Sequence, residues 1–325
     1  MLRWTNEEEQ YLRENYKLVD YTTLSQKLSR SEGAIRAKCF DLGLVKNDRW
    51  TQSEIDYLSL NYSDMNTKEI ANALCRTVTA INIKAKKLGL KKYEYTCNFD
   101  FFEKIDTEQK AYWLGFISSD GWISISDTGA GTIGIELQIS DIDHLKKFNK
   151  DIGGNYKIDV FEKTCNLSND SIKLFKMCRI RVYSRKMVND LIKLGLSNNK
   201  TENLTLPNIP QELMRHYIRG FFDGDGCVRG RKKTLASGHI KMCPICDITS
   251  KCVSFLEEIR AYLYNNKNIC SYIYFNENNI GRLYIHKNQH TLDFLNYIYA
   301  DSSVFLSRKF FIYEDILNHT NCLAN

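Results

Sequence analysis

Two aspartates, Asp120 and Asp225, stand at the ends of two short apolar segments of the same build, and carboxylates so placed can hold a divalent cation. The first segment reads Ala111-Tyr112-Trp113-Leu114-Gly115-Phe116-Ile117-Ser118-Ser119-Asp120-Gly121. The second reads Tyr217-Ile218-Arg219-Gly220-Phe221-Phe222-Asp223-Gly224-Asp225-Gly226, and its last acidic residue lies 105 positions after Asp120. Both read as compact helices with small residues four apart, Gly115 with Ser119 and Gly220 with Gly224. A glycine inside a helix costs about 1 kcal/mol relative to alanine, so its recurrence predicts that the two backbones touch. Packed that way, Asp120 and Asp225 meet at the C-terminal helix ends, where they repel each other and the negative end of each dipole. A hard, oxygen-seeking cation such as Mg²⁺ relieves that repulsion.

The stretches Trp113–Gly121 and Ile218–Gly226 resemble the paired motifs of the LAGLIDADG homing endonucleases, single-chain type, over roughly residues 107–315. The second motif is the closer match; the first carries Ser118 where an acidic residue is common and Trp113-Leu114 in place of smaller residues. The resemblance implies an α+β fold of two pseudo-symmetric αββαββα halves whose motif helices form the interface. It implies that Asp120 and Asp225 are catalytic and bind metal, Mg²⁺ with Mn²⁺ able to substitute. It also implies a lysine beside each site. Lys200, 80 residues beyond Asp120, and Lys309, 84 beyond Asp225, are the candidates, with Arg308 as the neighbour of Lys309 that a one-residue shift would select. The implied activity is a double-strand break in a long double-stranded DNA target, made across the minor groove with short 3′ overhangs. A DNA-binding regulator without cleavage and an RNA maturase are the alternatives.

The residues between and after the motifs read as the elements that would position them. Trp122–Ser126 reads as a strand, and Thr132–Ser140 alternates with Ile133, Ile135, Leu137 and Ile139 on one face. A helix over Asp141–Ile152, strands at Tyr156–Phe161 and Cys178–Tyr183, and a helix over Lys186–Leu194 follow. After Asp225 the order recurs: a strand at Ile245–Thr249, a helix around Ser254–Leu263, strands at Tyr272–Phe275 and Arg282–His286, and a helix near Leu292–Tyr299. An antiparallel sheet with one face on helices leaves a polar face free. That face is expected to contact DNA through Gln138, Arg179, Arg181 and Tyr183 in the first half, and Arg229, Arg231, Arg282 and His286 in the second. Cys243-Pro244-Ile245-Cys246 has no second pair at zinc spacing, so free thiols are expected there. His216 reads as a local hydrogen-bonding residue.

The first ninety residues repeat with a period of 46: Arg3-Trp4-Thr5 returns as Arg49-Trp50-Thr51, Glu8 as Glu54, Arg30 as Arg76 and Leu42-Gly43-Leu44 as Leu88-Gly89-Leu90. Each copy reads as three short helices with Thr5 or Thr51 as N-cap and Gly43 or Gly89 at the C-terminal cap. The pattern W-T-x-x-E, L-x-R-x-x-x-A-I-x-x-K, L-G-L resembles Myb/SANT-like helix-turn-helix modules, some of which bind peptides and others DNA. A trihelical unit with a basic last helix suits a major groove. Arg30, Arg36, Lys38, Arg76, Asn82, Lys84 and Lys86 are the expected DNA contacts.

The domain plan is therefore repeats at 1–46 and 47–92, a linker at 93–106, and halves at 107–206 and 207–325. With 325 residues, 43% hydrophobic and 12% of them aromatic, the chain can build packed cores, which excludes wholesale disorder. The net charge of +6 is compatible with a polyanion partner, and the repeats hold sixteen Lys and Arg against twelve Asp and Glu. No apolar run approaches the roughly 18–20 residues of a membrane span, and the N-terminus predicts neither a signal nor a transit peptide. Eleven cysteines in that setting predict reduced thiols. A monomer in the cytoplasm of a bacterial or phage-infected cell, or in an organelle, is expected.

Overall fold

The computed structural model describes residues 3–16, 19, 21–44, 50–166, 172–197, 203–234, 240–276, 280–285 and 287–321, with the backbone alone at 165, 166, 172, 231–234, 240–242, 320 and 321. The chain divides into two compact units, Met1–Glu94 and Tyr95–Asn325.

The first unit is all helical. The first repeat forms α1 (Asn6–Asn15), α2 (Tyr21–Leu28) and α3 (Glu32–Asp41); the second forms α4 (Gln52–Asn61), α5 (Thr67–Ala73) and α6 (Val78–Lys87). Thr5 with Glu8, and Thr51 with Glu54, close reciprocal capping boxes on the first helix of each repeat, satisfying two donors that the helix itself cannot. Gly43 and Gly89 take φ of +69° and +68° after α3 and α6, the left-handed turn that glycine enters without a Cβ penalty. Each repeat has its own core, Leu12, Leu24, Ile35 and Cys39 in one, Leu58, Ile70, Ala71 and Ile81 in the other.

The repeated arginines are not presented for a partner. Arg30 pairs with Glu8 at 3.1 Å and lies over the Trp4 ring; Arg76 pairs with Glu54 at 2.9 Å and lies over Trp50. Each guanidinium holds its glutamate below the usual carboxylate range. The Trp–Glu–Arg recurrence at period 46 is thus a structural clamp between the first helix and the turn before the third, and Arg30 and Arg76, expected as DNA contacts, are engaged within their own repeats. Lys38 is likewise turned inward onto Glu9 at 2.6 Å. Arg36 remains largely exposed beside Glu32, and α6 presents Asn82 and Lys86 to solvent with Lys84 half-buried over Trp50.

The second unit is α+β and runs through the same seven elements twice. The first half has α7 (Glu108–Ser119), β1 (Gly121–Ile125), β2 (Gly131–Gln138), α8 (Ile142–Asp151), β3 (Ile158–Asn166), β4 (Ile172–Tyr183) and α9 (Arg185–Lys193). The second has α10 (Met214–Asp225), β5 (Gly226–Thr234), β6 (Ile240–Ser250), α11 (Val253–Lys267), β7 (Tyr272–Phe275), β8 (Gly281–Ile285) and α12 (Asn288–Tyr299), followed by α13 (Ser307–Asn321). Both sheets are antiparallel with the same order, β1-β2-β4-β3 and β5-β6-β8-β7. The period-2 alternation is realised: Ile133, Ile135 and Leu137 on β2, and Cys178, Ile180 and Val182 on β4, are buried against the helices. Gly134 interrupts the outward set because the Trp122 indole, directly opposite it in the ladder, occupies the space its Cβ would take.

Three expectations change. Residues 95–106 are packed, not a linker: Tyr95 stacks on Tyr156, and Phe101, Phe102 and Ile105 are buried in the core of this unit. The alternation of β2 ends at Gln138, and Ile139 and Ser140 form a 3₁₀ turn. The second half does not end at the helix near Leu292–Tyr299 but continues into a further helix, α13, whose first turn holds Lys309.

Candidate active site and nucleic-acid face

The two motif helices pack backbone to backbone. A Cβ built on Gly115 would lie 2.0 Å from the Tyr217 carbonyl oxygen, and one on Gly220 would lie 2.0 Å from that of Tyr112. Further along, a Cβ on Gly224 would lie 2.0 Å from Ser119 Oγ and 3.2 Å from Asp120 Cγ. The small residues singled out by spacing are therefore the contact line itself. Asp120 caps α7 and Asp225 ends α10, so the Asp120 carboxyl lies against the residue preceding Asp225 at the shared helix ends. Asp120 is half-buried and Asp225 exposed.

The donors at these ends are the hard oxygens of two carboxylates, which suit Mg²⁺ or Mn²⁺. Among the described residues no group of three or more His, Cys, Asp or Glu could hold a metal ion. The protein thus offers two carboxylates, and an ion bound there keeps positions for water and a phosphate oxygen. Cys243 and Cys246 stand three apart on β6, so the strand's alternation turns them to opposite faces; Cys246 is buried, and burial holds its thiol well above the ordinary value.

Lys309, expected beside the second motif, is buried against the end of that motif's helix. It is 3% exposed, and its ammonium donates to the carbonyls of Phe222 at 2.6 Å, Gly224 at 3.3 Å and Gly226 at 2.5 Å. It caps the C-terminus of α10 from behind. Burial lowers its pKa to about 8 against the pull of Asp223 and Asp120. Replacing Lys309 with Met strands those carbonyls, and the expected loss is about 1–3 kcal/mol, read by chemical denaturation at pH 7. The folded pKa of about 8 lies below the ordinary 10.5. Between these values the unfolded chain holds a proton that the folded chain has released, so stability relative to Lys309→Met rises with pH across that window. A falling difference would show that Lys309 is not desolvated. Lys200 lies outside the described residues; Arg308 pairs with Asp141 at 3.0 Å.

Three residues near the motif helices, Asp223, Arg219 and Lys251, carried no sequence signal, and His216 makes the local hydrogen bond expected of it. Asp223 is fully buried and accepts from Tyr112 Oη at 2.7 Å, Tyr299 Oη at 2.5 Å and the Leu306 N–H at 2.8 Å. Burial raises its pKa, so it ties the two halves together as a hydrogen-bond hub. Arg219, also fully buried, pairs with Glu108 at 2.6 Å and donates to the carbonyls of Val304 and Ile298, joining the start of α7 to the segment before α13. His216 bonds Arg219 through Nδ1 at 2.9 Å. Lys251, directly after β6, lines with Ser119, Thr249 and Asp225 a cavity of about 220 Å³. It is a cation that shares a cavity with a motif aspartate.

The outer faces of both sheets carry the expected arginines, but paired with carboxylates. Arg179 and Arg181 alternate with the buried Cys178, Ile180 and Val182. Arg179 meets Glu136 at 3.8 Å, and Arg181 meets Asp159 at 2.8 Å. Arg229 and Arg282 both meet Asp247, at 3.1 and 3.6 Å. Gln138 is exposed at the end of β2 and Tyr183 at the end of β4. The Arg231 side chain and His286 lie outside the described residues. The acidic partners Glu136, Asp159 and Asp247 sit at outward positions of the neighbouring strands β2, β3 and β6, and the same strand alternation marks them.

Residues 212–299 match the family model of a LAGLIDADG-like domain. No curated protein matches the chain. Solved structures with similarity include meganuclease I-SmaMI bound to uncleaveable DNA with a TTGT central four, at 15% identity, covering 66% of this chain and 89% of that one with a TM-score of 0.41. The homing endonuclease I-WcaI bound to its DNA recognition sequence is 14% identical over 61% of this chain and 85% of that one, TM-score 0.43. The I-LtrWI LAGLIDADG homing endonuclease bound to target DNA is 13% identical over 70% and 92%, TM-score 0.43. Among the described residues no helix is long and apolar enough to cross a membrane.

Proposed function

We propose that this chain is a site-specific DNA endonuclease that makes a metal-dependent double-strand break in a long duplex target, acting as a monomer. The observation that carries the reading is the pair of motif helices in glycine-mediated contact, each ending in its motif aspartate, in two halves whose antiparallel sheets share one strand order. One such end in each half matches two scissile phosphates, one per strand. Mg²⁺ held by Asp120 and Asp225 would supply charge neutralisation at the phosphate and an activated water. Lys251 adds a cation in the Asp225 cavity that can stabilise developing negative charge, while Lys309 and Asp223 hold the end of α10 and the half-to-half contact in place. The outward arginines and Gln138 read the duplex on either side.

Incubating the protein and Mg²⁺ with a randomised DNA library and sequencing the ends produced tests the activity. Recurrent paired cuts at one sequence are expected; binding without ends would turn the reading to a regulator. The two repeats are assigned to DNA through Arg36 on α3 and Asn82, Lys84 and Lys86 on α6. Deleting residues 1–94, a cut that keeps Tyr95 on Tyr156, is expected to shorten the protected footprint and leave cleavage at high protein concentration. Each phosphate that the shortened protein no longer neutralises lowers the slope of log affinity against log salt by about 0.9. An unchanged footprint and slope would assign the repeats to a protein partner.

A further inference from the structure

The outer face of the second sheet holds a feature that the first does not. Asp247 lies between the inward residues Cys246 and Ile248, so its side chain projects outward, yet that side chain is only 3% exposed. Two guanidinium groups cover it, one on each oxygen: Arg229 reaches Oδ2 at 3.1 Å from β5, and Arg282 reaches Oδ1 at 3.6 Å through Nε from β8. Arg282 also lies over the Tyr274 ring, 5.9 Å from its centroid. Tyr284, opposite Asp247 in the ladder, packs against Tyr272 and Tyr274. On the first sheet the position equivalent to Asp247 in the ladder is Gly134, and the carboxylate Glu136, two residues on, is more exposed and shared between Arg179 and Lys163.

We propose that Asp247 is a specificity-determining positioning residue that fixes Arg229 and Arg282 as a two-guanidinium fork for the major-groove edge of guanine. An arginine alone on a strand gives up rotamer freedom when it is ordered. Asp247 and Tyr274 order the fork before DNA arrives, so that loss does not fall on binding. A carboxylate between the two charges also cancels part of their sequence-independent attraction for phosphate. What remains is geometry, and the bidentate match of a guanidinium to guanine O6 and N7 is geometric. The target positions under this half therefore include guanine.

The proposal rests on the reading of the sheets as DNA-facing, and binding-site selection on randomised duplexes in EDTA separates the two. Full-length protein is expected to select a site with guanine in one half. Asp247→Asn keeps the shape but not the charge; its guanine preference is expected to fall about tenfold at those positions only, a loss within the range of one bidentate contact. Its affinity for random duplex should become more salt-dependent. Arg282→Lys keeps the charge without the fork and is expected to lose the same preference, which covers the case in which Asp247→Asn fails to fold. A wild-type site whose guanine preference survives in both variants, or a loss spread evenly over all positions, overturns the role of Asp247 and leaves the DNA reading standing. No selected site for the wild type overturns both.

Discussion

Asp120→Asn and Asp225→Asn are each expected to remove cleavage by at least about 100-fold while leaving duplex affinity nearly unchanged. Charge stabilisation by a metal at a reacting phosphate is worth several kcal/mol, and about 1.4 kcal/mol is tenfold in rate. Asparagine keeps the size and the oxygen but not the charge that holds the ion. Duplex affinity is expected to come instead from cations on the sheets and repeats, which neither substitution touches. The substitutions should not weaken the fold, because each removes a negative charge from a helix C-terminus, where it is unfavourable by about 0.3–1 kcal/mol. Thermal melts supply a readout apart from activity. Mg²⁺ should raise the melting temperature of the wild type and not that of either variant, whereas in EDTA the variants should melt at or above the wild type. Full double-strand cleavage by either variant, or equal Mg²⁺ stabilisation of all three proteins, would sink the metal-site assignment.

Gly220→Ala should destabilise the second unit by about 3 kcal/mol or more, on the order of the upper end of overpacking costs, and Gly220→Leu by more still. Helix propensity alone predicts the opposite, a gain of about 1 kcal/mol for Ala over Gly. Here a single methyl would lie 2.0 Å from the Tyr112 carbonyl oxygen and 2.8 Å from the Phe116 nitrogen, and both are backbone atoms that cannot rotate away. The helices would have to part, separating Asp120 from Asp225 and stretching the Tyr112–Asp223 bond. Gly115→Ala is the mirror case, 2.0 Å from the Tyr217 oxygen. Gly33→Ala in α3 is the control, since among the described residues no atom lies within 4 Å of the position its methyl would take; a neutral or slightly positive effect is expected. Denaturant unfolding of the three variants decides the matter. Unchanged stability in Gly220→Ala would show that the helices do not touch.

The elements of this protein were legible where local rules govern. The period of 46, the Thr–Glu capping boxes and the glycines at positive φ are written within a few residues of each other, and so is the alternation of β2 and β4. The contact of α7 with α10 was legible too, because glycine four apart in an apolar helix is costly unless two backbones meet. Even the outward arginines followed from period 2. What a side chain does once it is placed was not legible. Arg30 and Arg76 looked like groove-reading cations until folding brought Glu8 and Glu54, 22 residues away, against them. Lys309 sat at a plausible distance from Asp225 along the chain, yet only the fold shows that α13 buries its ammonium on three carbonyls of the motif end. Residues 95–106 looked like a linker because Phe101, Phe102 and Ile105 show no clean period, and only a core formed elsewhere gives them a place. Charge pairing and burial depend on atoms far apart in sequence, so tertiary structure alone decided which charged groups are committed within the fold and which face outward.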